Sequence, residues 1–147
     1  MDGYFSIDRA PRINAIKSYI LDEIANPDLC LADIAAQQGI SSSYVRKLFA
    51  AEGTKFTAYV LEIRLQNVCR MLTDPDARIH SVSAIAATCG FNDVSYFNRA
   101  FRKRYGCTPS DLRSGREPLS APTGVAPQRH GLDAGLAAAA KTGTDQC

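Results

Sequence analysis

Four cations and no acid fall between residues 98 and 105, where Arg99, Arg102, Lys103 and Arg104 are interleaved with Phe101 and Tyr105. Cations three and four residues apart share one face of a helix. Such a row can pair with phosphate oxygens or with the acceptor edge of a guanine. An ordinary solvated helix face has the same composition, and a net charge of +2 over 147 residues is too small to indicate a partner. The local distribution is more informative than the sum. A second signal lies upstream, where "GISSSYVRKLFAAEGTKF" echoes "GFNDVSYFNRAFRKRYGCTP".

Other chemistries find no support. The five cysteines (Cys30, Cys69, Cys89, Cys107, Cys147) are odd in number and form no CxxC pair, which argues against a disulfide framework or a zinc site. Cys69 and Cys89 read as small apolar residues within helices. His80 and His130 are isolated, and no catalytic constellation, metal site or cofactor motif is present. The start "MDGYFSIDRA" lacks the basic and apolar stretches of a signal peptide, and no apolar run approaches the ~20 residues of a membrane span. The expected compartment is the cytoplasm, without a membrane partner.

Hydrophobic residues make up 46% of the chain, enough for a packed interior. "PRINAIKSYILDEIANP" predicts an amphipathic helix, with Pro11 in its first turn, Ile13, Ile16, Ile20 and Ile24 at helical spacing, and a stop at Asn26-Pro27. "LADIAAQQG" is a short helix ending on Gly39, and Ser41 can cap a second that runs to Gly53. A longer helix follows from Phe56 and stops near Asp74-Pro75. After a loop, "DARIH", the short pair returns, ending on Gly90 and Gly106, with Asn92 or Asp93 as the cap between them. Thr108 and Pro109 open a last helix. From about Gly115 the chain is rich in Gly, Pro and Ala and reads as a disordered tail over 115–147.

The echo is a repeat. Ile34-Ala35 and Gly39 recur as Ile85-Ala86 and Gly90, offset by 51, whereas Tyr44, Lys47 and Phe49 recur as Tyr96, Arg99 and Phe101, offset by 52. The two units are helix-turn-helix pairs that differ by one residue in the turn. On a helical wheel Val45, Leu48 and Phe49 oppose Ser43, Arg46, Lys47 and Ala50, while Phe97 and Phe101 oppose Ser95, Arg99 and Arg102. The aromatics therefore read as anchors to a core and not as stacking platforms for bases. The polar stripes, small near the start and cationic one turn later, have the make-up of a recognition helix in a DNA major groove.

These residues resemble the AraC/XylS family of bacterial transcription regulators. The second copy carries the resemblance through Ile85-Ala86, Gly90-Phe91, Tyr96-Phe97, Arg99, Phe101, Arg102-Lys103, Tyr105-Gly106 and Thr108-Pro109. The first carries it through Leu31, Ile34-Ala35, Gly39, Ser41, Leu48-Phe49 and Gly53. The resemblance implies an all-α domain over 10–113 with about seven helices. Its two homeodomain-like helix-turn-helix units fall at about 31–53 and 82–106, joined by a connector helix at about 56–73. It also implies that the recognition helices enter successive major grooves, about 34 Å apart.

Carried over by position, the base-facing residues are Ser43, Arg46 and Lys47 in the first unit and Val94, Ser95 and Arg99 in the second. Ser41, Arg102 and Lys103 are expected at phosphates. The implied partners are double-stranded DNA and, for an activator, RNA polymerase. No small-molecule effector is expected within this chain.

Many relatives place a sensing or dimerisation domain ahead of this part, whereas about ten residues precede the first predicted helix here. The chain is then a stand-alone member or a fragment, and Met1 favours the first. A rival reading is a truncated regulator that acts as a protein-interaction module with little DNA binding. A third, the regulatory remnant of a DNA-repair enzyme, needs a nucleophilic cysteine with an activating base or metal cluster, which the sequence does not offer.

Overall fold

The computed structural model of the chain describes residues 2–115, so the tail expected to be disordered, with His130 and Cys147, lies outside the described residues. In chain order come α1 (Asp2–Asp22), α2 (Leu31–Gln38), α3 (Ser42–Ala51) and α4 (Phe56–Thr73), then a 3-10 turn (Pro75–Ile79), α5 (Val82–Thr88), α6 (Val94–Tyr105) and α7 (Pro109–Arg113). The described residues hold seven α-helices and no strand, the all-α architecture expected from the sequence.

Two hydrophobic cores share α4. The first gathers Ile13, Ile16 and Ile20 of α1, Ile34 of α2, Val45, Leu48 and Phe49 of α3, and Phe56, Val60 and Ile63 of α4. The second gathers Leu65, Val68, Cys69, Met71 and Leu72 of α4 with Ile85 and Ala86 of α5, Phe97, Phe101 and Tyr105 of α6, and Leu112 of α7. Each set on α4 has helical spacing, but between Ile63 and Leu65 the apolar stripe advances two residues, about 200° around the helix. The connector therefore shows one flank to the first unit and nearly the opposite flank to the second.

Local chemistry sets the helix ends. The Ser41 and Asp93 side chains accept from the backbone N–H three residues on, at 3.1 and 3.0 Å. Thr108 and Asp111 form a reciprocal capping box with Pro109 in the first turn. In α6, Phe97, Phe101 and Tyr105 lie four residues apart, with ring centroids at 5.7 and 4.8 Å and planes tilted by 55° in both pairs. This tilted packing adds to the burial of three fully covered aromatics.

Three sequence expectations need correction. The first helix begins at Asp2 and not at Pro11, so Pro11 is an interior residue of α1 and ten residues do not precede the helix. A proline removes its own N–H from the ladder and crowds the carbonyl four residues back, yet bonds on either side remain available. The half after Pro11 is held by buried Ile13, Ile16 and Ile20. The "DARIH" loop is mostly 3-10 helix, because Asp74 accepts from the Asp76 N–H at 2.9 Å, Pro75 presets the first turn and Ala77 is buried. Cys89 caps α5 just outside the helix.

Tyr105 is fully buried and its hydroxyl meets no hydrogen-bond partner among the described residues. Burial raises its pKa, with the neighbouring Cys69 and Glu62 adding to the shift and Arg104 opposing it. The folded state then holds the phenolic proton more tightly than the unfolded chain, so this contribution to stability is present below the ordinary tyrosine value of about 10 and is lost above it. Tyr105→Phe removes a desolvated hydroxyl without opening a cavity. It is expected to leave stability unchanged or raise it by about 1 kcal/mol, and to shrink the alkaline loss, in urea denaturation at neutral pH and above pH 10. A loss of stability at neutral pH would mean that the hydroxyl has a partner.

Candidate nucleic-acid interface

The two helix-turn-helix units are built by the same local bonds. The Ile40 N–H donates to the Ala35 carbonyl at 3.0 Å, and 51 positions on Phe91 donates to Ala86 at 3.0 Å. Val45 donates to the Ser41 carbonyl at 3.2 Å, and 52 positions on Phe97 donates to Asp93 at 3.0 Å. Both turns use a left-handed glycine, Gly39 at φ 65° and Gly90 at φ 101°. That backbone strains any residue with a Cβ.

Anchored this way, α3 turns Val45, Leu48 and Phe49 inward, and Ser43, Arg46, Lys47 and Ala50 are exposed. On α6, Phe97, Phe101 and Tyr105 go inward, and Val94, Ser95, Asn98, Arg99, Arg102 and Lys103 are exposed. Each of the nine residues expected at DNA from sequence is thus at the surface, including the capping Ser41. Among the described residues none of Arg46, Lys47, Arg99, Arg102 and Lys103 is tied up in an ion pair. Arg102 and Lys103 also occupy the last turn of α6, where the helix dipole favours cations.

Arg104, the fourth cation of the basic run, is used internally. Its Nε and Nη2 donate to both Glu62 carboxylate oxygens at 2.9–3.1 Å, and its guanidinium lies 4.9 Å from the centre of the Tyr105 ring. The run therefore offers three outward cations, with the fourth docking α6 onto α4. Tyr96 also departs from the expectation that the aromatics are core anchors. It is 44% exposed, with its ring 6.4 Å from that of Phe91.

Two hollows relate the stripes to each other. One of about 440 Å³ is lined by Arg46 and Ala50 of α3 together with Thr54, Lys55, Phe56 and Thr57. Another of about 400 Å³ is lined by Phe56, Thr57 and Leu61 together with Asn92, Asp93, Tyr96 and Arg99. Phe56 and Thr57 belong to both, so the first turn of α4 forms a floor shared by a hollow that reaches Arg46 and Ala50 of one stripe and a hollow that reaches Arg99 of the other. The exposed Lys55 and Thr57 on this floor were not among the residues expected from sequence. Their place depends on how the units dock, and no local pattern marks it.

The buried thiols are not arranged for chemistry. Cys30, Cys69, Cys89 and Cys107 are free and buried. Burial pushes the Cys89 thiol up to about 12 and raises that of Cys69, which keeps both in the unreactive protonated form. No group of His, Cys, Asp or Glu suited to a metal occurs among the described residues, and no helix there is long and apolar enough to cross a membrane.

Comparison with known proteins identifies the family of the domain. The helix-turn-helix domain family matches residues 20–115. The transcriptional activator RhrA of Rhizobium meliloti strain 1021 is 42% identical over 102 residues, covering 69% of this chain and 32% of that protein. The transcriptional activator NphR of a Rhodococcus species is 37% identical over 107 residues, covering 73% of this chain and 31% of that protein. The chain belongs to the AraC/XylS family of helix-turn-helix transcription regulators.

It spans about a third of the length of these relatives. A crystal structure of a DNA-binding transcriptional dual regulator from Escherichia coli K-12 superposes with a TM-score of 0.62 at 28% identity, covering 71% of this chain and 97% of that one. The AraC/XylS domain is a DNA-binding one and belongs to regulators, not enzymes.

The caps that launch the two exposed helices give a direct test of this construction. Asp93→Ala and Ser41→Ala should each lower stability by about 1 kcal/mol in urea denaturation, whereas Asp93→Asn, which keeps a capping oxygen, should cost a few tenths at most. Equal losses for Asn and Ala at position 93 would show that the carboxylate charge matters and the cap does not.

Proposed function

We propose that this domain reads two successive major grooves on one face of double-stranded DNA, with α3 in one groove and α6 in the next, and that it does so to activate transcription. The observation that carries the reading is the pair of exposed stripes flanking the first turn of α4. With the stripes side by side, a duplex lying across both would pass its intervening backbone over that floor, where Lys55 supplies a cation.

In this reading Ser43, Arg46 and Lys47 face bases in one groove, and Val94, Ser95 and Arg99 face bases in the other. Arginine and lysine suit the O6 and N7 acceptors of guanine, the serines make short polar contacts, and Val94 suits a thymine methyl. Ser41 can donate its hydroxyl proton to a phosphate while its oxygen caps α3, and Arg102 and Lys103 meet backbone oxygens. The different residues on the two stripes favour an asymmetric site that one copy of the domain can fill. Activation is supported by the names of RhrA and NphR. It would involve contact with RNA polymerase in the cytoplasm, without a small-molecule effector bound by this domain.

The test is selection from a random duplex library, followed by titration of the winners at several salt concentrations. A bipartite motif with centres about 10 to 10.5 base pairs apart is expected, with binding that weakens as salt rises. Arg99→Ala should relax base preference in one half of the motif and Lys47→Ala in the other, each by about 1 to 3 kcal/mol of discrimination. Lys103→Ala should weaken all sequences alike and reduce the salt slope by about 1. Binding that is uniformly weak and sequence-blind would instead assign the stripes to a protein partner.

A further inference from the structure

The connector carries a buried charge that neither exposed stripe uses. Arg64 lies on α4 where the apolar stripe passes from Ile63 of the first core to Leu65 of the second, and it is 7% exposed. Its Nε donates to the Ile24 carbonyl at 3.1 Å and its Nη2 to the Asn26 carbonyl at 2.7 Å. Both acceptors belong to the chain just past α1, where no following helical turn supplies donors, and the Asn26 carbonyl also accepts from the Leu29 N–H at 3.2 Å.

Gly90, in the turn of the second unit, rests on this hydrogen bond. A Cβ at Gly90 would stand 2.5 Å from the Ile24 oxygen and 2.6 Å from Arg64 Nε, and its φ of +101° is one that other residues rarely adopt. The first unit, the connector and the second unit thus meet in one contact that leaves no room for a methyl group.

We infer that Arg64 and Gly90 are positioning residues that lock the two helix-turn-helix units at one relative orientation and thereby select the spacing between the two halves of a DNA site. The inference rests on the two-groove reading. A continuous helix fixes how far apart the units are along its axis, but it does not stop the second unit from rolling on the flank of α4. The Arg64 fork, holding two carbonyls from the first unit while Gly90 packs on it from the second, removes that freedom. Lysine cannot replace it, because a single ammonium lacks the planar fork that reaches two fixed acceptors.

The experiment compares the full chain with its Arg64→Lys and Gly90→Ala variants in two measurements. Residual dipolar couplings of the free protein report whether both units share one alignment frame. Titration against duplexes with fixed halves and stepped spacing reports spacing selectivity.

The unsubstituted chain should fit a single frame and lose about tenfold in affinity when the spacing shifts by two base pairs, whereas the variants should need two frames and lose under about threefold, as expected for a looser tether. Base preference within each half should not change. Two frames in the unsubstituted chain, or variants with an unchanged frame and an unchanged spacing profile, would overturn the inference. Should the unsubstituted chain select no bipartite motif, the two-groove reading fails, while the couplings still decide the joint. Should the variants fail to fold, the couplings of the unsubstituted chain decide it.

Discussion

A guanidinium taken out of water keeps its charge and its five donors, and it is tolerated only where acceptors meet it in the right directions. Arg64 meets such acceptors just past the end of α1, where it and the Ile24 carbonyl answer each other's need, and the Asn26 carbonyl accepts from Arg64 as well as from the Leu29 N–H. This shared requirement ties the start of the chain to its middle and makes α4 a structural axis. The contrast between the equivalent turn glycines follows from it. A Cβ at Gly39 would meet nothing within 4 Å, so glycine there answers to backbone conformation alone, whereas Gly90 answers also to the Arg64 bond pressed against it. The same turn geometry thus serves two different physical demands.

Duplication gives each unit its own core, its own caps and a common local geometry, but it does not make the units equivalent. The first presents two cations, Arg46 and Lys47, on a helix of ten residues capped by a neutral serine. The second presents Arg99, Arg102 and Lys103 on a helix of twelve residues capped by an aspartate, and its fourth cation is held by Glu62. The acidic cap and the cation-rich last turn set opposite fields at the two ends of α6. On the reading proposed above, its start makes close polar contact and its end meets the anionic backbone.

What could be read from the sequence was whatever local chemistry decides. The inward aromatics, the Ser41 and Thr108 caps, the glycine stops and the connector helix all follow from residues close together in the chain, and the repeat from matching two such local stretches. The features that escaped are those fixed across the fold. Arg104 looks like one more surface cation until Glu62, 42 residues away, is placed beside it. Arg64 looks like a polar position on a connector until residues about 40 positions away supply its acceptors. Pro11 was weighed on its own local rule, whereas the helix that continues through it is held by isoleucines packed against α2, α3 and α4. The outward turn of Tyr96, and the place of Lys55 and Thr57 between the stripes, likewise emerge only once the units are docked.

The modest charge of the chain also becomes intelligible. Each phosphate neutralised adds sequence-independent affinity and steepens the dependence on salt, with a slope of about −0.9 per contact on duplex DNA. A reader that relied on many cations would bind everywhere, and the quantity that matters to a regulator is the ratio of specific to non-specific affinity. Placing five outward cations on two short stripes, and taking Arg104 and Arg64 out of the surface into internal bonds, keeps the electrostatic part small. On the two-groove reading proposed above, discrimination then depends on holding both stripes in register at once. On that reading the rigidity of the joint is a condition of specificity and not an accessory to it.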